Sequence, residues 1–132
     1  MNPILRAFLN RKLGREGELA AAAYLQRKGI RILARNFHCR TGEIDLIARD
    51  GDTLVFVEVK TRREGVPAEA VTPAKERSLT LAAMTFLRRY EALEVRSRFD
   101  IIAIVWPDSS KKPNIEHLVN AFESVGRGQM FR

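Results

Sequence analysis

The stretch of residues 42–60 constrains the fold of this chain more than any other. Two apolar runs flank the turn sequence Asp50-Gly51-Asp52, which is typical of a tight β-hairpin. The runs are apolar enough for the centre of a sheet, yet Asp45, Glu58 and Lys60 interrupt them. Because a buried charge is costly unless it is paired or bound to a metal, the hairpin is predicted to carry a functional site.

The register of the hairpin decides which charges meet. Glu58 and Lys60 are two residues apart, so they point to the same side of their strand. A two-residue loop at 51–52, or a four-residue loop at 50–53, places Asp45 opposite Glu58. A loop of Asp50-Gly51 alone would place Asp45 diagonally from Glu58 on the same face. A three-residue loop would separate the two carboxylates, because a one-residue slip moves every side chain of a strand to the other face of the sheet. The favoured registers bring two carboxylates together beside an ammonium group.

That set of groups suits a hard divalent cation. Neighbouring carboxylates repel unless a cation joins them, and Asp45, Glu58 and the backbone carbonyl of Val59 offer oxygen ligands for Mg²⁺ or Mn²⁺. A metal can acidify a water that attacks phosphorus, and Lys60 could orient or deprotonate that water or offset charge on the phosphate. The favoured registers also place Glu43 opposite Lys60, as an accessory group. The alternative is a buried ion-pair network in which Lys60 neutralises Glu43 and Glu58.

The charge and composition of the chain indicate which class of partner it binds. The 132 residues carry a formal net charge of +7, which favours a polyanionic partner, nucleic acid first, over a charge that only aids solubility. Cys39 is the single cysteine, so no intrachain disulfide can form and secretion gains no support. The apolar run 101–106 is far too short to span a membrane. We therefore expect a cytoplasmic protein with no membrane partner and no small-molecule cofactor.

The first helix is predicted from Gly14 to Lys28, after an N-terminal extension of residues 1–13. Gly29 follows in the position of a C-terminal cap. Glu18 has two interpretations: a charge that favours the positive end of the helix dipole, or a third carboxylate that reaches the hairpin. One face of this helix is predicted to carry Leu19, Ala22, Ala23 and Gln26, with Leu25 adjoining it.

A second helix is predicted to open at Thr72-Pro73, with Thr72 as its N-cap. Lys75 and Arg77 lie in its first turns, where cations are unfavourable, so they indicate either a nearby anion such as a backbone phosphate or a solvated face. With Arg62 and Arg63, which follow the hairpin, they are the candidate nucleic-acid contacts. The predicted apolar stripe comprises Leu79, Ala82, Ala83, Phe86, Leu87 and Tyr90.

The remaining pattern completes one domain over residues 14–123, followed by a C-terminal tail at 124–132. A first strand at 30–37 is expected near an edge, and His38-Cys39 reads as a turn or strand end rather than a zinc site. Residues 98–106 form a central strand, reached from the hairpin by a parallel crossover, and 115–119 form a last edge strand. Other features are a candidate mobile loop at 64–71, a polar loop at 107–113 and an Asp100 that pairs with arginine.

These residues carry a resemblance. Ile44-Asp45, with Glu58-Val59-Lys60 thirteen positions after the aspartate, resembles the core motif of the PD-(D/E)xK nuclease superfamily, with Ile in place of Pro. The chain looks more closely like the largely uncharacterised bacterial YraN-like family, over about residues 14 to 123. The matching segments are Gly17-Glu18 with Ala21, Gly29, Asn36-Phe37, 42–47, 56–62, Val71-Thr72 with Lys75, and Arg98-Phe99-Asp100.

The resemblance implies an α/β, restriction-endonuclease-like fold with a mixed central sheet flanked by helices. Its core order is helix, three strands, helix and strand. The resemblance adds Glu18 to the metal ligands, as in the similar layout of archaeal Holliday junction resolvases. It implies a Mg²⁺- or Mn²⁺-dependent endonuclease acting on DNA, including branched or structured DNA. The alternative is a nucleic-acid-binding module that does not cut. Resolvases that cut two strands act as dimers, so a homodimer is compatible with this reading.

Overall fold

The computed structural model describes residues 2–107 and 112–123 as two helices and five strands. In chain order they are α1 (Pro3–Arg27), β1 (Arg31–Cys39), β2 (Gly42–Asp50), β3 (Thr53–Arg63), α2 (Pro73–Arg89), β4 (Ser97–Trp106) and β5 (Asn114–Phe122).

The strands form one mixed sheet in the order β1-β2-β3-β4-β5. The first three strands are antiparallel neighbours, β4 lies parallel to β3, and β5 returns antiparallel to β4. The predicted restriction-endonuclease-like α/β fold is confirmed, with its order of helix, three strands, helix and strand. The first strand is at an edge and the apolar strand β4 is internal, both as predicted.

The β2–β3 hairpin closes with a two-residue loop, because Asp50 pairs with Thr53. Gly51 has a φ of 58°, a conformation that glycine adopts without strain. The β2–β3 ladder ends at Leu46 and Val57, whereas the β3–β4 ladder continues to the last residue of β3. From Glu58 onward, β3 therefore has β4 on one side and an open edge on the other. This open edge is where the charged residues of the hairpin lie.

The helices cover opposite faces of the sheet. One core cluster joins Ala21 and Leu25 of α1 to Val55 and Val57, and the other joins the α2 stripe to Phe56 and Phe99. The stripe predicted for α2 is buried except at its last residue, Tyr90, which is 62% exposed. On α1 the predicted face is wrong at Leu19, which is 61% exposed, and at Gln26, which is also exposed. The helix packs instead through Gly17, Ala21, Ala22 and Leu25.

The helix ends follow local capping chemistry. The helix α1 begins at Pro3 rather than at Gly14, because the Asn2 side chain accepts a hydrogen bond of 2.7 Å from the Ile4 N–H and proline suits the first helical position. Gly29, at φ +82°, ends it as predicted: its N–H donates to the Gln26 carbonyl and the Ile30 N–H donates to the Leu25 carbonyl, which is a Schellman motif.

The helix α2 begins as predicted, with the Thr72 hydroxyl accepting from the Lys75 N–H at 3.2 Å. The predicted tail at 124–132 lies outside the described residues, as do residues 108–111 of the predicted polar loop. Neither of the two described helices combines the length and the apolar character needed to cross a membrane.

Candidate active site

The candidate site begins where β2 and β3 part. Asp45 is one residue beyond the last pair of the ladder, and its Oδ2 accepts a 2.8 Å hydrogen bond from the Val59 N–H. A side-chain oxygen thus takes the place of a backbone carbonyl. Because the N–H and C=O of a strand residue point to the same side, the Val59 carbonyl faces the same gap. The register that the sequence favoured therefore brings Asp45 and the start of the Glu58–Lys60 segment together.

Glu58 lies next to two lysines from different elements. Its side chain is only 8% exposed, and its Oε1 is 3.8 Å from Lys60 Nζ and 3.9 Å from Lys75 Nζ. Both distances are longer than a hydrogen bond, so the lysines only partly compensate the buried carboxylate. Lys75, predicted from its position in α2 as a phosphate contact, lies at the site itself.

Glu18 reaches the site from the opposite face of the sheet. It follows Gly17, at which a Cβ would overlap the Thr61 side chain, so α1 approaches β3 as closely as it does only with glycine there. The side chains of Asp45 and Asn36 both act on the Glu18 carboxyl group, the first raising its pKa and the second lowering it. The helix-dipole interpretation of Glu18 is wrong, because α1 begins at Pro3 and Glu18 lies far from its N-terminus.

Burial is the main reason why the pKa of each of the three carboxyl groups lies above its ordinary value. Burial, and then repulsion from Asp45, raise the pKa of Glu58 to about 7, although both lysines act against the shift. Burial also raises the pKa of Asp45, against the effect of the Val59 N–H and of Lys75. Burial and the neighbouring Asp45 raise the pKa of Glu18. At neutral pH the cluster therefore favours an additional proton or cation.

The accessory residue Glu43 lies at the rim. It is exposed, and its Oε2 is 3.1 Å from Nδ1 of His38 at the end of β1, where the sequence predicted a turn or strand end. Its negative charge adds to the raised pKa of Asp45, Glu58 and Glu18. Glu43 therefore adds to the negative electrostatic potential of the site from its rim.

The donor set can be tested against a divalent cation. Among residues 2–107 and 112–123, no group of three or more His, Cys, Asp and Glu side chains is arranged so that it could hold a metal ion. Asp45, Glu58 and the Val59 carbonyl remain as oxygen donors around the gap, and their mutual repulsion favours a cation. Mg²⁺ is commonly held by one or two carboxylates with several retained waters, so this set fits it.

The other predicted basic residues surround this site at different distances. Arg62 donates from Nη1 to the Val66 carbonyl at 2.7 Å, which fixes the segment that follows β3. Arg63 is exposed at the end of β3, and Arg77 is exposed on the first turns of α2. Of the four candidate nucleic-acid contacts, only Lys75 pairs with a carboxylate of the cluster.

Sequence reasoning missed the part played by Asn36. This residue lies within β1 at a positive φ of 51°, and its side chain hydrogen-bonds with Glu18 in a way that lowers the carboxyl pKa. The available signal was an asparagine inside a strand pattern, because asparagine is depleted in strands and tolerates the left-handed conformation.

Comparisons with known proteins give a family without an assigned activity. The sequence profile described as "Uncharacterised protein family UPF0102" matches residues 17–104. The UPF0102 protein of Geobacter sulfurreducens is 56% identical over 119 residues, which cover 86% of this chain and 91% of that protein. The UPF0102 protein of Geobacter metallireducens is 50% identical over 117 residues, covering 86% and 94%. That of Syntrophomonas wolfei is 47% identical over 117 residues, covering 86% and 100%.

Proposed function

Since the chain belongs to the uncharacterised protein family UPF0102, whose name states no activity, we propose its function from the site: a metal-dependent endonuclease that hydrolyses phosphodiester bonds of DNA. The observation that carries the proposal is the convergence of Glu18, Asp45 and Glu58, with two lysines, at the open edge of β3. A purely structural cluster would not need three carboxyl groups whose ionised forms are opposed by burial, whereas a site for a cation and a phosphate would need such groups.

In this proposal Asp45, Glu58 and the Val59 carbonyl hold Mg²⁺ or Mn²⁺, and Glu18 joins them from α1 when it is ionised. A bound cation would supply a Lewis acid that makes water more acidic and stabilises negative charge on a phosphate. Lys60 orients or deprotonates the attacking water, or offsets the charge that develops on the phosphate oxygens. Lys75, on the other side of Glu58, attracts the phosphate.

The test is cleavage of branched, nicked, single-stranded and linear DNA by the purified protein with Mg²⁺ or Mn²⁺. We expect the native chain to cut at least one of these substrates, EDTA to abolish the cutting, and Asp45→Ala or Lys60→Ala to reduce it by about 100-fold or more. The matched control is Asp52→Ala, which removes an exposed carboxylate from the turn of the same hairpin and should leave cutting unchanged. No cleavage of any substrate, or an Asp45→Ala variant as active as the native chain, would contradict the proposal.

A second candidate function is a DNA-binding module that does not cut. The absence of a three-residue metal cluster in the described part of the chain favours it. Binding would then depend on Arg62, Arg63, Lys75 and Arg77, and it would weaken with salt as counterions are released. Metal-independent binding that survives Lys60→Ala, with no cleavage by the native chain, would favour this function over the nuclease.

A further inference from the structure

A cavity of about 520 Å³ opens directly beside the candidate site. It lies between the N-terminal half of α1, the end of β3 and the segment that follows β3. Glu18, Val59 and Lys60 belong both to this cavity and to the site. A group bound in the cavity would therefore be adjacent to a phosphate bound at the site. We call it the side cavity.

The side cavity has two kinds of wall. Away from the site, its apolar lining side chains are those of Leu9 and Leu13 of α1 and of Val66 and Pro67 after β3. Its polar lining side chains there are those of Asn10, Thr61, Arg62, Arg63 and Glu69. A site that held only a sugar-phosphate backbone would need cations and no apolar walls. A lining that combines apolar side chains with hydrogen-bonding groups suits a flat organic ring with polar edges, and the volume lies in the range of small-molecule sites.

Hydrogen bonds fix the segment that follows β3, which forms the outer wall of the side cavity. Arg62 donates to the Val66 carbonyl at 2.7 Å, and the Val66 N–H donates to the Arg63 carbonyl at 3.1 Å. The Glu64 N–H donates to the Trp106 carbonyl of β4 at 3.1 Å, which ties the same segment to the sheet. The inner wall is set by the close approach of α1 to β3 at Gly17. The cavity is thus formed before any ligand binds, which lowers the entropic cost of binding.

We propose that the side cavity binds one unpaired nucleobase of a DNA strand whose neighbouring phosphate occupies the candidate site. A base within a duplex is stacked and paired, and it can enter only if it is already unpaired or is turned out of the helix. The cavity therefore selects DNA with an unpaired nucleotide, such as a bulge, a flap or a junction. As a statement about cleavage this inference rests on the proposed function, but as a statement about binding it can be tested alone.

The test compares two DNA molecules that differ by a single unpaired 2-aminopurine: a bulged duplex and the fully paired duplex. Binding is measured with the full chain in EDTA, so that no cleavage occurs. Within the described ranges 2–107 and 112–123, no aromatic side chain lines the cavity. A 2-aminopurine base that leaves the DNA stack and enters the cavity therefore does not stack on a ring there, and its fluorescence should rise with the bulged DNA. We expect the bulged DNA to bind about tenfold more tightly than the paired duplex.

The decisive variants fill the cavity. Leu13→Trp places a larger ring in it, and Leu9→Trp does so from a second, more exposed position in case the first variant does not fold. Both should remove the preference for bulged DNA and leave affinity for the paired duplex unchanged. Leu5→Trp is the control, because Leu5 is 49% exposed on the same helix and lies outside the cavity.

The outcomes separate this inference from the nuclease proposal. If neither cavity variant changes the preference, or if bulged and paired DNA bind equally well, the inference is wrong even when the protein cuts DNA. If the preference is present and is lost in the cavity variants, but no DNA is cut with Mg²⁺ or Mn²⁺, the base site stands and the nuclease proposal falls.

Discussion

At the scale of single residues, Glu58 is the group whose charge the fold opposes most. Its side chain is 8% exposed, and burial with the nearby Asp45 raises its pKa from 4.5 to about 7. One pKa unit corresponds to about 1.4 kcal/mol, so the ionised form costs the folded state on the order of 3–4 kcal/mol. The cost fits a group kept for a ligand rather than for the stability of the protein without a ligand.

The sign of this effect gives a stability prediction. A carboxyl group with a raised pKa binds its proton more tightly in the folded state, so the free energy of unfolding falls as pH rises from 4.5 through 7. We expect Glu58→Gln to be more stable than the native chain at pH 8 by about 1–3 kcal/mol, and the difference to vanish below pH 4.5. Urea denaturation of both proteins across this range, without metal, measures it.

The buried ion-pair network makes the opposite prediction. If Glu58 serves mainly to neutralise Lys60 and Lys75, Glu58→Gln should be less stable than the native chain at pH 8. Glu43→Gln is the control, because this residue is exposed at the rim and its replacement should change stability by less than about 0.5 kcal/mol.

The same pKa predicts how metal binding responds to pH. A cation binds the ionised carboxylates and competes with the proton on Glu58, so Mn²⁺ affinity should increase between pH 6 and 7 and level off above the pKa near 7. Calorimetric titrations in two buffers of different ionisation enthalpy would report the protons released. A Mn²⁺ affinity that does not change from pH 6 to 8, with no proton release, would show that Glu58 is not part of the metal site.

At the scale of elements, the β2–β3 hairpin could be predicted from the sequence, but the point where the pairing of its two strands stops could not. The Asp50-Gly51-Asp52 turn is a local signal for a hairpin, and the loop at 51–52, one of the two loops that the sequence favoured, sets the register of the pair. The point where β2 leaves β3 depends on the Asp45 side chain, which accepts the Val59 N–H in place of a backbone carbonyl. Such competition between a side chain and the backbone leaves no mark in hydrophobic periodicity.

The helix α1 shows a second limit of pattern reading. The first turns expose Ile4, Leu5 and Phe8, so no periodic burial marked the start of the helix. The capping pair Asn2-Pro3 was the signal that could have found it. The buried face was misplaced because α1 packs through small residues, which a search for large apolar residues passes over.

The close contact of α1 with β3 at Gly17 sets the position of Glu18. Replacing Gly17 tests this packing role. A Cβ at this position overlaps Thr61, so Gly17→Ala should push the helix from β3, lower stability by about 1–3 kcal/mol and reduce any cleavage with it. The matched control is Gly14→Ala on the same helix, where a Cβ meets nothing within 4 Å and should stabilise the protein by about 0.5–1 kcal/mol. Thermal melts of the two variants that show equal stability would contradict this packing role.

At the scale of the whole molecule, the net charge of +7 should govern the affinity for DNA. The logarithm of the binding constant should fall linearly with the logarithm of salt concentration, and Arg63→Gln should reduce the slope by about one if Arg63 contacts a phosphate. Arg31→Gln is the control, because Arg31 is exposed at the far end of β1. Its neighbour on the adjacent strand is Arg49, not a residue of the site. Anisotropy titrations at several salt concentrations would measure both. Equal slopes for the two variants would exclude Arg63 from the interface.

The topology was predictable, whereas the side-chain contacts between β4 and β5 were not. The parallel crossover from β3 to β4 followed from the apolar strand 98–106, and Asp100 pairs with Arg98 at 3.0 Å as expected. Asp100 is fully buried, however, and it also accepts from the Asn120 N–H at 2.9 Å and lies 2.7 Å from His117 Nε2. These partners belong to β5, and only the antiparallel return of β5 along β4 brings them together.

The central claim is that a divalent cation binds in the gap where β2 leaves β3. A crystal of the protein soaked in Mn²⁺ at pH 8 tests it through the anomalous signal of manganese. We predict a peak in contact with the carboxylates of Asp45 and Glu58 and with the Val59 carbonyl, and no such peak in crystals of Asp45→Asn. A native crystal without a peak at this position, or an undiminished peak in Asp45→Asn, would contradict the claim.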